Sequence, residues 1–468
     1  MKSKKKSLTP EEKLSQALLP REEWPYELPK GWVWTRVEPF VQVIRGVAYK
    51  KNDVQNISAI ENALILRGGN IEEGAVNLKT NDNVFVDKRL ISEAQYIKEN
   101  DVVIVASTGS KSVIGKAGIV YKECPNVAIG AFLLLIRPLK DVNSRYVDYY
   151  FETALYRNNI RKLANGVNIN NVKQNYIKKS PFPLPPLPEQ QRIVGKIESL
   201  FAKLGEAGDR LQKVLDGYEA RRAAILHEAF SGKWTGDSGE QSDIKRLPLK
   251  KCGVWHGGGT PSKSHPEYWA NGSIMWITSK DMKKDVIDNS LICVNEKGIE
   301  NSSAVYSDKP AVLFVMRSGV LRHTLPIAMV SKPYTVNQDL KALTPEEGIL
   351  PEYVMWACKA EEKTILNQCM KSGTTVESIN FQSLLNFQIS VYPEKKQRYI
   401  VDRIHKALTS EESSINHISS VYTQIDLMKK SILARAFRGE LGTQDSSDPS
   451  ALELLKECVL AGKEVSKS

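Results

Sequence analysis

The stretch Gly109-Ser-Lys-Ser-Val-Ile-Gly115-Lys116-Ala117 holds the parts of a phosphate-binding loop, two glycines that free the backbone and a lysine that reaches phosphate oxygens. Five residues rather than four separate those glycines, and Ala117 stands where a Ser or Thr would hold magnesium. Nucleotide binding is therefore not expected. Gly257-Gly258-Gly259 lacks the strand–turn–helix context of a dinucleotide fold, and no G-x-S-x-G or H-E-x-x-H occurs. The six histidines (His227, His256, His265, His323, His405, His417) form no i,i+4 metal pair. Glu361-Glu362-Lys363 mimics part of a nuclease site, but the triplet sits on a predicted helix. The Asn/Asp-Pro-Pro-aromatic tetrapeptide of adenine methyltransferases is absent too. The expectation is a binding protein with no catalytic residue and no metal site.

The binding chemistry is richer. Six loops mix cations with amides and hydroxyls: Arg45–Asp53, Ser107–Lys116, Asn165–Lys173, Gly257–Trp269, Thr278–Lys284 and Arg317–Thr324. Their candidate DNA-binding residues are Arg45, Tyr49, Lys50, Lys51, Ser107, Lys111, Lys116, Asn168, Asn170, Asn171 and Lys173 in the first half. In the second half they are Gly258, Thr260, Ser262, Lys263, Tyr268, Ser279, Lys280, Arg317 and Arg322. Arg and Lys suit phosphates and guanine edges, Asn suits adenine edges, and glycine lets a backbone come close. One such loop is no more than a solvated turn; six spread over two halves point to a nucleic acid. The chain carries a net charge of +11, and the surplus is uneven. Residues 31–184 hold 21 Lys+Arg against 14 Asp+Glu, and residues 245–392 hold 17 against 14. The cations therefore concentrate where the loops are, not in the segments between.

What must position those loops is a repeated frame. At 468 residues the chain exceeds one ordinary core, and 41% apolar with 25% charged residues is ordinary globular usage. Ile225-Leu226-His-Glu-Ala229-Phe230-Ser-Gly232 returns 207 residues later as Ile432-Leu433-Ala-Arg-Ala436-Phe437-Arg-Gly439. Ile193-Val194 falls on Ile400-Val401 at the same offset, and Val102–Ser110 resembles Val312–Val320 at an offset of 210. The reading is a tandem duplication with a mixed α+β fold. Each copy has a sheet-containing part with short apolar runs such as Val102-Val-Ile-Val105 and Val312-Leu-Phe-Val315, and single helices are predicted over Val147–Lys162 and Tyr353–Lys371. Each copy then ends in a long helix. In the first helix Ile197, Leu204, Leu211, Tyr218 and Ile225 lie seven apart, with Leu200, Ala207 and Val214 as companions three residues on. In the second, Ile404, Ile418, Ile425 and Ile432 keep one register, with Leu408, Ile415 and Tyr422 four residues after a seam position and Glu411 as a polar break. Each helix could pack on its own domain, but 42 residues make about 60 Å of helix, more than such a domain is wide. The two are therefore expected to pack antiparallel as a coiled coil, with a pseudo-two-fold relation that holds the globular parts at opposite ends.

The expected divisions are a lead-in over 1–30, a first globular domain over 31–188, a helix over 189–234, a linker over 235–244, a second domain over 245–393, a helix over 394–441, and a tail over 442–468 with a short amphipathic helix. No run of 18 apolar residues suggests a membrane span, and Cys124, Cys252, Cys293, Cys358, Cys369 and Cys458 form no C-x-x-C pair. Both point to a reducing cytoplasm.

These residues resemble a known family, the specificity subunits of type I restriction–modification enzymes, over nearly the whole chain. Three features carry the resemblance. One is the paired helical regions, Leu187-Pro-Glu-Gln-Gln-Arg-Ile193 to Ala229-Phe-Ser-Gly232 and Pro393-Glu-Lys-Lys-Gln-Arg398 to Ala436-Phe-Arg-Gly-Glu-Leu441. Another is Gly257-Gly-Gly-Thr-Pro-Ser-Lys263, Pro266-Glu-Tyr-Trp269 and Trp276-Ile-Thr-Ser-Lys-Asp-Met282, similar to the opening of a class of target recognition domain. The last is the lead-in Leu8-Thr-Pro-Glu-Glu-Lys-Leu14 with Gly31-Trp-Val-Trp34. The resemblance implies two target recognition domains, each reading half of a split double-stranded DNA sequence, on two helices that act as a spacer. It also implies docking of two methyltransferase (modification) subunits and of restriction/translocase subunits, with S-adenosylmethionine, ATP and magnesium bound by those partners and none by this chain. Ile44-Arg-Gly-Val-Ala-Tyr49 departs from the Gly-Gly-Thr-Pro pattern, which implies unlike domains and an asymmetric target. A non-DNA bridging protein on a coiled coil, and an enzyme with an unrecognised site, stay open as alternatives.

Overall fold

A computed structural model describes residues 9–55, 60–80, 83–164, 170–234, 244–371 and 376–461. The apolar runs become strands buried on both faces, as β-branched stretches bounded by Gly and Pro should. In the first half Val102–Val105 pairs antiparallel with both Leu133–Pro138 and Ala117–Ile119, and Leu133–Pro138 pairs on its other side with Val41–Arg45. A smaller sheet sets Val127–Ile129 parallel to Asn62–Leu66, with Val84–Asp87 antiparallel beyond it. The second half repeats the plan. Ala311–Val315 sits between Leu340–Pro345 and Ile327–Val330, and Gly253–Gly257 forms one edge. Tyr334–Val336 runs parallel to Ile274–Ile277.

The duplication extends to individual hydrogen bonds. Fully buried Gln190 accepts the Asn143 N–H at 3.0 Å and donates to the Pro185 carbonyl at 3.0 Å. Gln397, 207 residues on, accepts the Leu350 N–H at 2.9 Å and donates to the Tyr392 carbonyl at 2.7 Å. Tyr146 and Tyr353 donate to the carbonyls of Pro183 and Ser390 at 2.9 and 2.7 Å. Each of these contacts ties the helix behind the sheet to the chain entering a long helix.

Two predicted helices are each two. Ser144–Glu152 and Ala154–Leu163 are separated by Thr153, whose backbone is extended and whose hydroxyl caps the second helix by accepting the Tyr156 N–H at 3.2 Å. Pro351–Ala360 and Glu362–Cys369 meet at Glu361, where Glu362 turns to accept the Leu325 N–H at 2.7 Å. The first long helix also divides, into Leu187–Asp216 and Tyr218–Phe230, at Gly217. Glycine is a weak helix former, and the Arg221 guanidinium takes the Val214 carbonyl at 2.9 Å there. The second long helix, Glu394–Ala436, runs unbroken for 43 residues, about 64 Å at 1.5 Å per residue.

The chain gathers into two units, one of residues up to Arg210 together with those from Val421 onward, the other Leu211–Ser420. Each unit contains a stretch of both long helices, packed antiparallel. In the first unit Ile193, Val194 and Ile197 share a core with Leu433, Ala436 and Phe437, the Lys429 ammonium lies 5.9 Å from the Phe201 ring, and Tyr422 donates to the Gly208 carbonyl at 2.6 Å. In the second unit Leu226 and Ala229 share a core with Ile400, Val401, Ile404 and Leu408. There the seam break Glu411 meets Arg221 at 2.9 Å. Both packing alternatives therefore hold in part, because the ends of the helices are buried in the globular cores while their further turns face each other. Ile197, Ile404 and Ile425 are buried, and Leu204, Leu211, Tyr218, Ile225, Ile418 and Ile432 are partly buried. Of the expected companions in the first helix Leu200 is partly buried, but the other two differ from the expectation. Ala207 and Val214 are exposed, and Phe201, Gly208 and Leu215, four residues after each seam position, are covered instead. The spacing from Ile197 is the four-residue step of a heptad, and Gly208 leaves the hole that Tyr422 fills.

The lead-in and the tail both belong to the first unit. The helix Ala451–Ala461 packs against Pro10–Ala17, with the Ala451 N–H on the Gly31 carbonyl at 3.0 Å. Buried Glu189 takes hydrogen bonds from Trp32 at 2.7 Å and Thr443 at 3.1 Å, and Arg192 pairs with Asp448.

Two tests of this frame follow from its buried polar groups. Gln190→Ala strands one N–H and one carbonyl, and Gln397→Ala one N–H and two carbonyls, so each should cost about 2–4 kcal/mol in denaturant unfolding; a loss under ~0.5 kcal/mol would contradict the role given to them. Burial pushes the Asp148 and Glu152 carboxyls up to about 7 against nearby Arg145, and one oxygen of each has no hydrogen-bond partner. Native protein then keeps protons that the unfolded chain releases above its ordinary carboxyl range. Their stabilisation is full below ~4 and is lost as pH rises through 7. Thermal melts of wild type should fall between pH 5 and 8, and Glu152→Gln should shrink that fall; an equal fall in both would refute it.

Candidate DNA interface

The near-phosphate loop has a structural use. Gly115 sits at φ +70°, where a Cβ would come within 2.8 Å of Ile160, and a strand rather than a helix follows it. No helix N-terminus is therefore presented to a phosphate. Arg157 and Arg161 both donate to the Ser112 carbonyl at 2.9 Å, fastening the loop to the helix behind it. Histidines and acids are likewise absorbed: His256 bonds the Tyr334 hydroxyl at 3.0 Å, and His405 bonds Glu352 at 2.5 Å. No group of three His, Cys, Asp or Glu able to hold a metal occurs among the described residues.

Two of the predicted loops of the first unit meet. Ser107–Thr108 pairs antiparallel with Asn170–Asn171, and the Val172 N–H donates to the Ala106 carbonyl at 2.7 Å. Asn171, Lys111 and Lys173 are exposed beside this ribbon, while Ser107 and Lys116 are partly buried. Asn168 lies outside the described residues, as does the side chain of Asn170. The Arg45 carbonyl is held by Gln95 at 3.0 Å, which leaves the Arg45 side chain exposed together with Lys50 and Lys51. Tyr49 is partly buried and lines a cavity of about 180 Å³ with Arg67 and Phe132.

The second unit builds the same joint from different side chains. Arg317 bridges to Ser378, and the Ile379 N–H donates to the Met316 carbonyl at 2.8 Å. Arg317 pairs with Asp339 at 2.9 Å and Arg322 with Glu377 at 2.9 Å. Both arginines are well exposed, so the pairs are worth little as stability and serve to hold the guanidinium groups in place. Thr260 donates to Gln338 at 2.5 Å, which brings the glycine loop to this rim, and Lys341 lies 5.2 Å from the Phe381 ring. A cavity of about 570 Å³ opens there, lined by Arg317, Gln338, Lys341 and Lys371.

The glycines are packed tightly within their own domain. A Cβ on Gly258 would fall 1.7 Å from the Val336 carbonyl oxygen, and one on Gly259 would fall 2.1 Å from the Ser303 hydroxyl. The close approach they allow is to their own domain. Among the described residues no hydrogen bond ties Ser262, Lys263, Tyr268, Ser279 or Lys280 to the rim. Tyr268 stacks on His265 at 4.9 Å, and the 278–281 turn closes on itself through Asp281, which takes both the Thr278 N–H and hydroxyl at 2.9 and 2.8 Å. Ser262, Lys263 and Lys280 remain exposed cations and hydroxyls on that unit's surface. Residue types alone do not mark Gln338, Asp339, Lys341 or Phe132. The repeat does, because an offset of 207 carries Phe132 to Asp339 and Asn171 to Ser378, and one of 210 carries Ser107 to Arg317.

Comparison with known proteins finds a family and a shared fold. A family model described as type I restriction modification DNA specificity domain matches residues 29–214 and 249–419. The type I restriction enzyme EcoKI specificity subunit of Escherichia coli (strain K12) is 29% identical over 433 residues, covering 89% of this chain and 91% of its own length. Among solved structures, one described as the structural basis underlying complex assembly and conformational transition of the type I R-M system superposes with a TM-score of 0.61 at 18% identity, over 89% of this chain and all of the other. The crystal structure of the HsdS subunit from Thermoanaerobacter tengcongensis gives 0.53 at 18% identity, over 90% of this chain and all of the other. These two likenesses concern the fold.

Lys111→Ala removes an exposed cation without touching the frame. It should weaken binding to all duplexes alike and flatten the plot of log affinity against log salt by about 0.9 per lost phosphate contact. An altered sequence preference at constant slope would make Lys111 a base reader instead.

Proposed function

The chain belongs to the type I restriction–modification DNA specificity family, and from that premise we propose that it reads an asymmetric, two-part DNA target and carries no catalytic site of its own. The observation that supports this most is the pair of rims. The same backbone joint recurs in both units, but one rim offers Ser107, Asn171 and Phe132 and the other Arg317, Gln338 and Asp339. Equivalent frames with unlike side chains suit two unlike half-sites. Lysines and arginines around each rim grip phosphates and set the position, and the rim side chains meet base edges.

The long helices act as the spacer. A rigid stretch of 43 helical residues, with a seam of heptad spacing, fixes the number of unread base pairs between half-sites, as dimer geometry does in smaller DNA readers. In the assembled enzyme two methyltransferase subunits dock on this chain and bring S-adenosylmethionine, and restriction subunits bring ATP and magnesium. All of this takes place in the cytoplasm. No helix among the described residues is long and apolar enough to cross a membrane.

The spacer is tested by inserting one heptad into each long helix at facing positions. That adds about 10 Å, or about three base pairs, to the gap. Mapping of methylated adenines in cells carrying the altered chain should return both half-sites unchanged with the longer gap. A gap that stays constant would sink the spacer, whereas insertion into one helix alone should abolish methylation by shifting the seam.

A further inference from the structure

The turn Gly130-Ala131-Phe132-Leu133 carries no charge and lies outside the six loops, yet the rim of the first unit is built on it. The Leu133 N–H closes the turn on the Gly130 carbonyl at 2.9 Å. The Phe132 carbonyl then accepts the N–H groups of Ala106 and Ser107 at 2.9 and 3.1 Å. On its other side Gly46 is pressed so close that a Cβ there would fall 2.0 Å from the Gly130 carbonyl oxygen, and the Val47 N–H bonds the Ile129 carbonyl at 2.8 Å. The backbone is thus locked from two directions, while the Phe132 ring is 68% exposed.

The second unit contains the same turn 207 residues on. Leu340 N–H closes it on Asn337 at 3.2 Å, and the Asp339 carbonyl accepts the Met316 N–H at 2.7 Å. Asp339 therefore occupies the place of Phe132, and its carboxylate holds Arg317, which occupies the place of Ser107. One unit has put a polar, arginine-holding side chain at this position and the other a bare aromatic ring.

We propose that Phe132 is a specificity-determining residue of the first unit, laying its ring against the 5-methyl group of a thymine in the half-site that unit reads. The proposal rests on the DNA-reading function given above. The ring lines a small cavity with Tyr49 and Arg67, the residue's backbone carbonyl holds Ser107, which pairs with Asn171, and the domain around it carries a surplus of seven cations. A phenyl ring can tell thymine from cytosine by apolar contact with the 5-methyl group. A locked turn also lets the contact form without ordering the backbone.

Full-length chain, co-purified with its methyltransferase subunits, is used to select duplexes from a random pool, as wild type and as Phe132→Ala. The ring is exposed, so the variant should melt with wild type. The expected result is a wild-type two-part motif in which the variant loses about a fivefold preference for thymine at one position of one half-site, with an unchanged salt slope. Deoxyuridine at that position should weaken wild type about fivefold and leave the variant unaffected. An identical motif in wild type and variant overturns the assignment of Phe132 alone, as does a uracil penalty that survives in the variant. Loss of subunit assembly in the variant would make the ring a protein contact and overturn it too. A wild type that selects no sequence overturns the DNA-reading function and Phe132's role with it.

Discussion

At the edge of each unit one carbonyl holds the end of a central strand in place. Phe132 in the first unit and Asp339 in the second accept the N–H that follows the buried strand Val102–Val105 or Ala311–Val315, at 2.9 and 2.7 Å. A buried N–H left without a partner would cost about as much as a lost hydrogen bond, so the turn cannot move away from the strand. From that joint the rest of the rim follows. The strand end is forced to meet the chain at Asn171 or Ser378, and the cationic loops hang from those fixed points. Because the constraint is made by the backbone, side chains at the joint are free to differ, and they do.

The same separation of frame from chemistry runs through the core. Gln190 and Gln397 make equivalent pairs of hydrogen bonds, and Tyr146 and Tyr353 reach equivalent carbonyls, although few of the surrounding residues match. Polar groups that satisfy buried backbone are costly to change, whereas apolar neighbours can be exchanged at similar volume. The units are not wholly alike. The first recruits both the lead-in and the tail, closing Glu189 under Trp32 and Thr443.

Much of this was legible in the residues. The 207-residue offset, the heptad spacing around Ile404 and Ile425, and the strand character of Val102–Val105 all follow from periodicity, and all describe elements in the structure. The breaks at Thr153 and Gly217 were not legible, because helical spacing continues across them and only a cap and a captured carbonyl reveal them. The packing of the glycine triplet was hidden for a related reason. Composition reports that a backbone is approached closely, but only the fold shows that Val336 and Ser303 are what approach it. Gln338, Asp339 and Phe132 escaped notice because a short turn between apolar strands carries no basic cluster, and their importance comes from what the turn is bonded to.

The central claim is that each unit is a self-contained reader whose own rim sets its half of the target. It is tested most directly by a chain in which residues 245–392 are replaced by a second copy of residues 31–184, followed by mapping of methylated adenines in cells that express it with its methyltransferase. If each unit reads for itself, the new target holds two copies of the first half-site as an inverted repeat or a direct repeat, and the second half-site disappears. A target that keeps the original second half-site would contradict the account.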